Sequence, residues 1–172
     1  MVRIARAKTS ISSCQRPLSS VIVNTSLSHV KACNRARITM GEMSAPCPDC
    51  GADVSIDIGQ AVVADNRLLW SKSISCGACG LATEEDGDGF PPESLRQSLL
   101  DSGGIWRALL VTSSDRQIAV MMLRKILGLD LNAAAVLLRS SSAELWRGTR
   151  VECDWLANHM RGCGVETTVR QA

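Results

Sequence analysis

Tyrosine is missing from this chain and phenylalanine occurs once, so four tryptophans make up nearly all the aromatic surface of 172 residues. A protein that reads unpaired bases by stacking them on rings needs more of them. The core has to be assembled from Leu, Val, Ile, Met and Ala instead. Long apolar runs are missing too: none approaches the ~18 residues of a membrane-spanning helix, which predicts a soluble chain. No signal-peptide apolar stretch precedes the cysteines, so a reducing compartment, the cytoplasm, is the expected location.

Acid is nearly absent from the first 42 positions, where seven Lys or Arg stand against Glu42 alone. That stretch holds ten Ser or Thr and no sustained apolar period, the composition of a disordered segment. Three readings fit it. It is an organellar presequence, which shares the Arg- and Ser-rich, acid-poor composition, or a solvated basic tail, or sequence upstream of a true start at Met40 or Met43. Cys14 and Cys33 lie within it at no ligand spacing and read as free thiols. Beyond it, 12 basic and 16 acidic residues leave a mildly acidic body, unlike a dedicated nucleic-acid binder.

What is present is a globular composition, 45% hydrophobic and 21% charged, and a repeated cysteine pattern. Cys47-Pro48-Asp49-Cys50-Gly51 and Cys76-Gly77-Ala78-Cys79-Gly80 each place two residues between thiols and a glycine after the second. Two intervening residues make a tight turn that brings both thiolates to one ion, and glycine tolerates the backbone conformation beside the second. The 25 residues between the knuckles suffice for strands that return the chain to the metal. The spacing predicts one structural Zn2+ held by Cys47, Cys50, Cys76 and Cys79. Four thiolates leave no open coordination position for catalysis. A segment of about forty residues cannot build an adequate core alone, so the sequence predicts a ribbon that unfolds without metal. Two redox pairs or two disulfides compete with this reading, but the thioredoxin-like context is missing.

Around the knuckles, the alternation of Val54, Ile56 and Ile58 and the segment Leu68 to Ile74 predict strands about a turn at Asp65-Asn66-Arg67. Arg67, Trp70 and Lys72 offer a surface for nucleic acid, against the plainer reading of a solvated hairpin with a packed Trp. The acidic, glycine-rich run Glu84 to Gly89 reads as a linker. It imitates the start of a calcium loop but has Leu95 where the bidentate Glu belongs.

Pro92 starts a short helix through Leu95, Leu99 and Leu100. From Ile105 onward the periodicities give strand, helix, helix, strand, helix, strand. Asp115 and Asn132 serve as caps of the first two of those helices, and Thr149 with Glu152 forms a capping box on the third. Ile118, Met121, Met122 and Ile126 form the apolar stripe expected to face the core, and Cys153, Leu156, Met160 and Cys163 form another. Ser140 to Ser142, Asp154 and His159 include hydrolase residue types without a nucleophile elbow.

The stretch from Gln117 to Arg170 resembles the C-terminal domain of the bacterial ribosomal stalk protein of the large subunit. The similarity lies in Ile118-Ala119-Val120, Leu127-Gly128-Leu129-Asp130-Leu131, Ala134, Leu137-Leu138, Gly148, Leu156, Met160 and Cys163-Gly164 through Val169. The ClpS-type adaptor of the Clp protease has the same element order. The resemblance implies a module that docks another protein, a translation factor or a Clp-type ATPase, on its helical face. Arg116, Arg124 and Lys125 would be the contact residues; the lysines of the stalk family at the start of its second helix are replaced here by Asn132 to Ala135.

The expectation is therefore an α+β protein: a basic tail at 1–42, a zinc ribbon at 43–83, an acidic linker at 84–91, and a β-α-α-β-α-β domain within 92–172. Its function is non-enzymatic binding as a protein–protein adaptor; the alternative is a nucleic-acid-binding zinc-ribbon protein. No convergent acid, base and nucleophile set is visible.

Overall fold

A computed structural model describes residues 38–111, 116–139 and 144–172. Strands β1 (Ile38–Pro46), β2 (Asp53–Val63), β3 (Arg67–Ser75) and β4 (Ala82–Asp88) form an antiparallel sheet in sequence order. The alternation in β2 does what the period of two requires: Val54, Ile56 and Ile58 are buried while Ser55 and Asp57 face water. Trp70 joins that buried face, and helix α1 (Glu93–Gly103) covers it with Leu95 and Leu99. The β2–β3 connection is a short 3-10 turn, Ala64–Asn66, in which Asp65 and Asn66 take φ of 61° and 55°. Asp and Asn tolerate this left-handed conformation better than other side chains with a Cβ.

The second sheet has β5 (Trp106–Leu110) between β6 (Glu144–Gly148) and β7 (Thr167–Gln171), both antiparallel to it. Helices α2 (Arg116–Leu127), α3 (Leu131–Arg139) and α4 (Arg150–Gly162) share one apolar core with it, built on Ala108, Leu110, Leu123, Leu138, Leu156 and Met160. The fold is thus α+β, with two antiparallel sheets and four helices among the described residues. The element order from β5 onward is the one the periodicities predict.

Several local expectations are corrected. Residues 38–42, placed in the tail, are the first half of β1, paired Ile38 to Ala61 through Glu42 to Asp57. The acidic linker is strand β4: Glu84 lies opposite Ser73 and Glu85 opposite Lys72, and extended residues cannot wrap a calcium ion. Helix α1, assigned to the C-terminal domain, packs on the first sheet. On α2 the buried residues are Ala119 and Leu123, while Ile118 and Met121 are exposed by 39% and 62%. The stripe is rotated, with Met122 and Ile126 still packed partly buried against the core. Asp130, not Asn132, caps α3, accepting from the Ala133 amide at 2.7 Å. Cys163 lies past the end of α4 and is exposed, whereas Cys153 is fully buried. Asp115 and Ser140 to Ser142 lie outside the described residues.

The two sheets are not independent. Leu68 of β3 belongs to the C-terminal core, with Val62 and Phe90 packed against it. Glu152 in the first turn of α4 is fully buried and accepts from five donors. Arg96 of α1 gives a bidentate pair through Nε and Nη2, both at 2.9 Å. Trp146 Nε1 donates at 3.1 Å, the Thr149 amide at 3.2 Å and Gln60 Nε2 of β2 at 3.3 Å. The Thr149 hydroxyl donates in turn to Gln60 Oε1 at 2.5 Å and accepts from the Glu152 amide at 3.2 Å. The sequence shows half of this as a capping box; the other half comes from 56 and 92 residues upstream. The Glu152 carboxylate also holds the Arg96 guanidinium above its ordinary pKa by hydrogen bonding. Gly148 is required here, because a Cβ at that position would overlap the Glu152 carboxylate and sit 2.7 Å from Trp146 Nε1.

Replacing Glu152 by Ala leaves a largely buried guanidinium without its partner, a change that costs about 3–5 kcal/mol in buried pairs. Urea denaturation is expected to show that loss with both sheets melting together, followed through Trp70 in one and Trp155 in the C-terminal core. Separate transitions, or a loss below about 1 kcal/mol, would show that the network does not join them.

Candidate metal centre

The two knuckles are the connections of adjacent hairpins. Cys47 follows the last residue of β1 and Cys76 the last residue of β3, so the β1–β2 and β3–β4 turns come to the same end of the sheet. Each turn closes the same way. Gly51 donates to the Cys47 carbonyl and Gly80 to the Cys76 carbonyl, both at 2.9 Å. The Cys47 amide donates to Ala52 at 2.7 Å and the Cys76 amide to Leu81 at 2.8 Å. Gly51 and Gly80 take φ of 75° and 80°, the left-handed conformation for which the sequence supplies glycine.

All four sulfurs lie within 4.8 Å of one another. The Cys47–Cys79 and Cys50–Cys76 separations are both 3.7 Å. Four ligands at the zinc–sulfur bond length of ~2.3 Å around a tetrahedral centre stand ~3.8 Å apart. A disulfide needs ~2.05 Å. The cluster therefore fits one tetrahedral ion, and no pair has disulfide geometry. Cys47 and Cys76 are buried against the first sheet's core, whereas Cys50 and Cys79 face solvent. One edge of the tetrahedron is thus embedded and the other open to water.

The thiols are not equivalent. Amide hydrogen bonds from Cys79 and Ala78 pull Cys76 down to about 6. Cys79 also receives an amide hydrogen bond, from Leu81, but the neighbouring Cys76 sulfur and desolvation push it up to about 12. Cys76 is therefore disposed to ionise near neutral pH, and a divalent cation would supply the charge that ionises Cys79.

The other cysteines and the tempting residues do not assemble. Burial, then the charge of Glu152, raises the Cys153 thiol to about 12, which makes it an inert core residue. His159 stands edge-on to Trp155 at 5.1 Å between centroids, and burial lowers its pKa, so it is neutral at physiological pH. Cys14 and Cys33 lie outside the described residues. Arg116, Arg124 and Lys125 are exposed on α2, the first in its opening turn and the others in its last, and they converge on no common point. Ile118 and Met121 of α2, which the periodicity predicts in the core, and Leu131 and Val136 of α3 are exposed apolar residues. No helix among the described residues is long and apolar enough to cross a membrane. Comparison of the chain with protein-family models, curated proteins and solved structures found no match.

Metal capture is proton-linked. At neutral pH Cys79 enters as a thiol and must release its proton, so affinity for a divalent ion is expected to rise with pH through neutrality. Calorimetry in buffers of different ionisation enthalpy reads the protons released, and a pH-independent affinity would contradict the assignment. Chelation has a local signature as well. The knuckle end of the sheet depends on the ion, while Gln60 and Leu68 at the far end are held by α4 and the second core. Sequence alone predicts collapse of the whole ribbon. With the shared core in place, hydrogen exchange is expected to rise first at the Cys47, Gly51, Cys76 and Gly80 amides, leaving Leu68 protected; simultaneous loss at both ends would contradict this.

Proposed function

We propose that this chain is a zinc-binding protein whose ion, held by Cys47, Cys50, Cys76 and Cys79, is structural, and that it acts as a non-enzymatic protein–protein adaptor. The sulfur spacing carries the metal part of the reading: 3.7 Å is the ligand separation of a tetrahedral thiolate site. Thiolate donors favour zinc over the hard cations magnesium and calcium, and a complete four-sulfur shell leaves no position for substrate or water. The first sheet is then a zinc ribbon.

The adaptor part is supported by the outer face of α2 and α3. Ile118, Met121, Leu131 and Val136 are 39–62% exposed there, and neither helix contains an acidic residue. Apolar residues flanked by Arg116, Arg124, Lys125 and Arg139 make a surface suited to a protein partner with exposed apolar groups and acidic flanks. The resemblance to the ribosomal stalk C-terminal and ClpS-like folds favours the same face and a partner in translation or Clp-dependent proteolysis. On this reading the protein works in the cytoplasm, or in an organelle if the stretch before β1 is a presequence.

Two measurements test the two parts separately. Native mass spectrometry of protein purified without added metal is expected to show one zinc per chain, abolished by Cys50→Ser; a metal-free chain or an iron ion overturns the zinc reading. For the adaptor, translation factors or a Clp ATPase are expected to be retained from nuclease-treated extract by the zinc-loaded chain and lost with Met121→Glu. Equal retention by both proteins would place the contact elsewhere.

A further inference from the structure

The second sheet presents an unusual row of side chains on the face away from its helices. Arg107, the second residue of the central strand β5, is directly opposite Arg147 of β6 on one side and Arg170 of β7 on the other. Opposed residues of antiparallel strands project to the same face with Cβ atoms ~4.5–5.5 Å apart. Trp106 and Ala108 flank that position along β5 and, with Leu110, face the helical core, so the three guanidiniums belong to the opposite side. Arg147 and Arg170 are exposed.

Like charges placed directly across strands are destabilising, and one carboxylate offsets three guanidiniums only in part. Glu144 stands 3.4 Å from Arg107 Nε and 3.2 Å from Arg147 Nε. Among the described residues Arg170 has no ion pair. Arg107 Nε is buried and faces Glu144 Oε2 at 3.4 Å without hydrogen-bond geometry. Packing does not call for three arginines at these positions. An oxyanion ligand held by the exposed Arg147 and Arg170 would neutralise the repulsion that Glu144 leaves, since guanidinium groups bind phosphate in bidentate fashion.

We propose that the row Arg147–Arg107–Arg170 binds the phosphodiester backbone of a single-stranded nucleic acid. Two strand spacings make the row ~10 Å long, which suits successive phosphates of a chain better than one isolated phosphate. Leu109 and Thr168 beside it provide no aromatic platform, so the contact is with backbone rather than base. The solvent face of the first sheet carries Glu42, Asp53, Asp57, Glu84, Asp86 and Asp88, all exposed, and repels a polyanion. Binding is thereby directed to the second sheet. This activity is independent of the adaptor surface on α2 and α3.

The test uses the full zinc-loaded chain and a fluorescent uridine 12-mer, followed by anisotropy over a range of salt. Three phosphates neutralised on a single strand give a log–log salt slope of about −2, and each arginine removed is expected to reduce it by about 0.7. Arg170→Gln should weaken binding about five- to tenfold at 50 mM salt, Arg170→Lys should recover part of it, and Arg161→Gln at the exposed end of α4 should change nothing. Thermal denaturation separates function from structure: Arg170→Gln is expected to melt at or above the wild-type temperature, because a repulsion has been removed. Unchanged affinity and slope in Arg170→Gln would overturn the proposal and locate any binding in the basic N-terminal stretch. Equal loss with Arg161→Gln, displacement by millimolar inorganic phosphate, or an Arg170-dependent preference for phosphatidylserine vesicles would overturn it as well.

Discussion

Four sulfur atoms at one end of a small sheet are the constraint from which the N-terminal half follows. Two hairpins of nine to eleven residues per strand, except for the seven-residue β4, are marginal in water on their own. Their knuckles repeat one backbone hydrogen-bond pattern and one left-handed glycine, which brings Cys47, Cys50, Cys76 and Cys79 together at the ligand spacing of a tetrahedral ion. The sheet's register then decides what lies on each face. One face carries the apolar side chains that α1 covers, and the other carries serines and carboxylates.

At the far end of the same sheet the fastening is of a different kind. Glu152 is a buried carboxylate that would be costly in isolation. It is retained because donors from α1, β2, β6 and its own helix start all reach it. Buried ionic networks contribute specificity more dependably than stability, and this one fixes how the first sheet sits on α4. The metal end and the helical end are therefore parts of one body, with Leu68 and Trp70 of β3 in its two apolar cores.

How much of this the sequence reveals depends on the range of the interaction. The knuckles, the hairpin alternation, the capping box of Thr149 and Glu152 and the order of elements from β5 onward are local patterns, and each is legible. The acidic strand β4 is not, because Glu and Asp disfavour strands by propensity; it is held by cross-strand pairing of Arg67 with Asp88 and Lys72 with Glu85. The tail boundary shifts for a related reason, since Ile38 to Glu42 gain strand character only from β2. Gln60 and Arg96 give no local sign that they serve Glu152, and the arginine row emerges only from strand register. The rotation of α2 reflects tertiary packing, which puts small Ala119 inward and leaves Met121 outside.

The resulting molecule separates its charges: carboxylates on the outer face of the first sheet, guanidiniums on the outer face of the second, and an apolar, basic surface on α2 and α3. The first of these faces belongs to the sheet that the sulfur tetrahedron anchors. X-ray absorption at the zinc edge of the metal-loaded chain tests that anchor most directly. A single shell of four sulfurs near ~2.3 Å is the predicted result; a mixed shell with nitrogen or oxygen ligands, or fewer than four sulfurs, would contradict it.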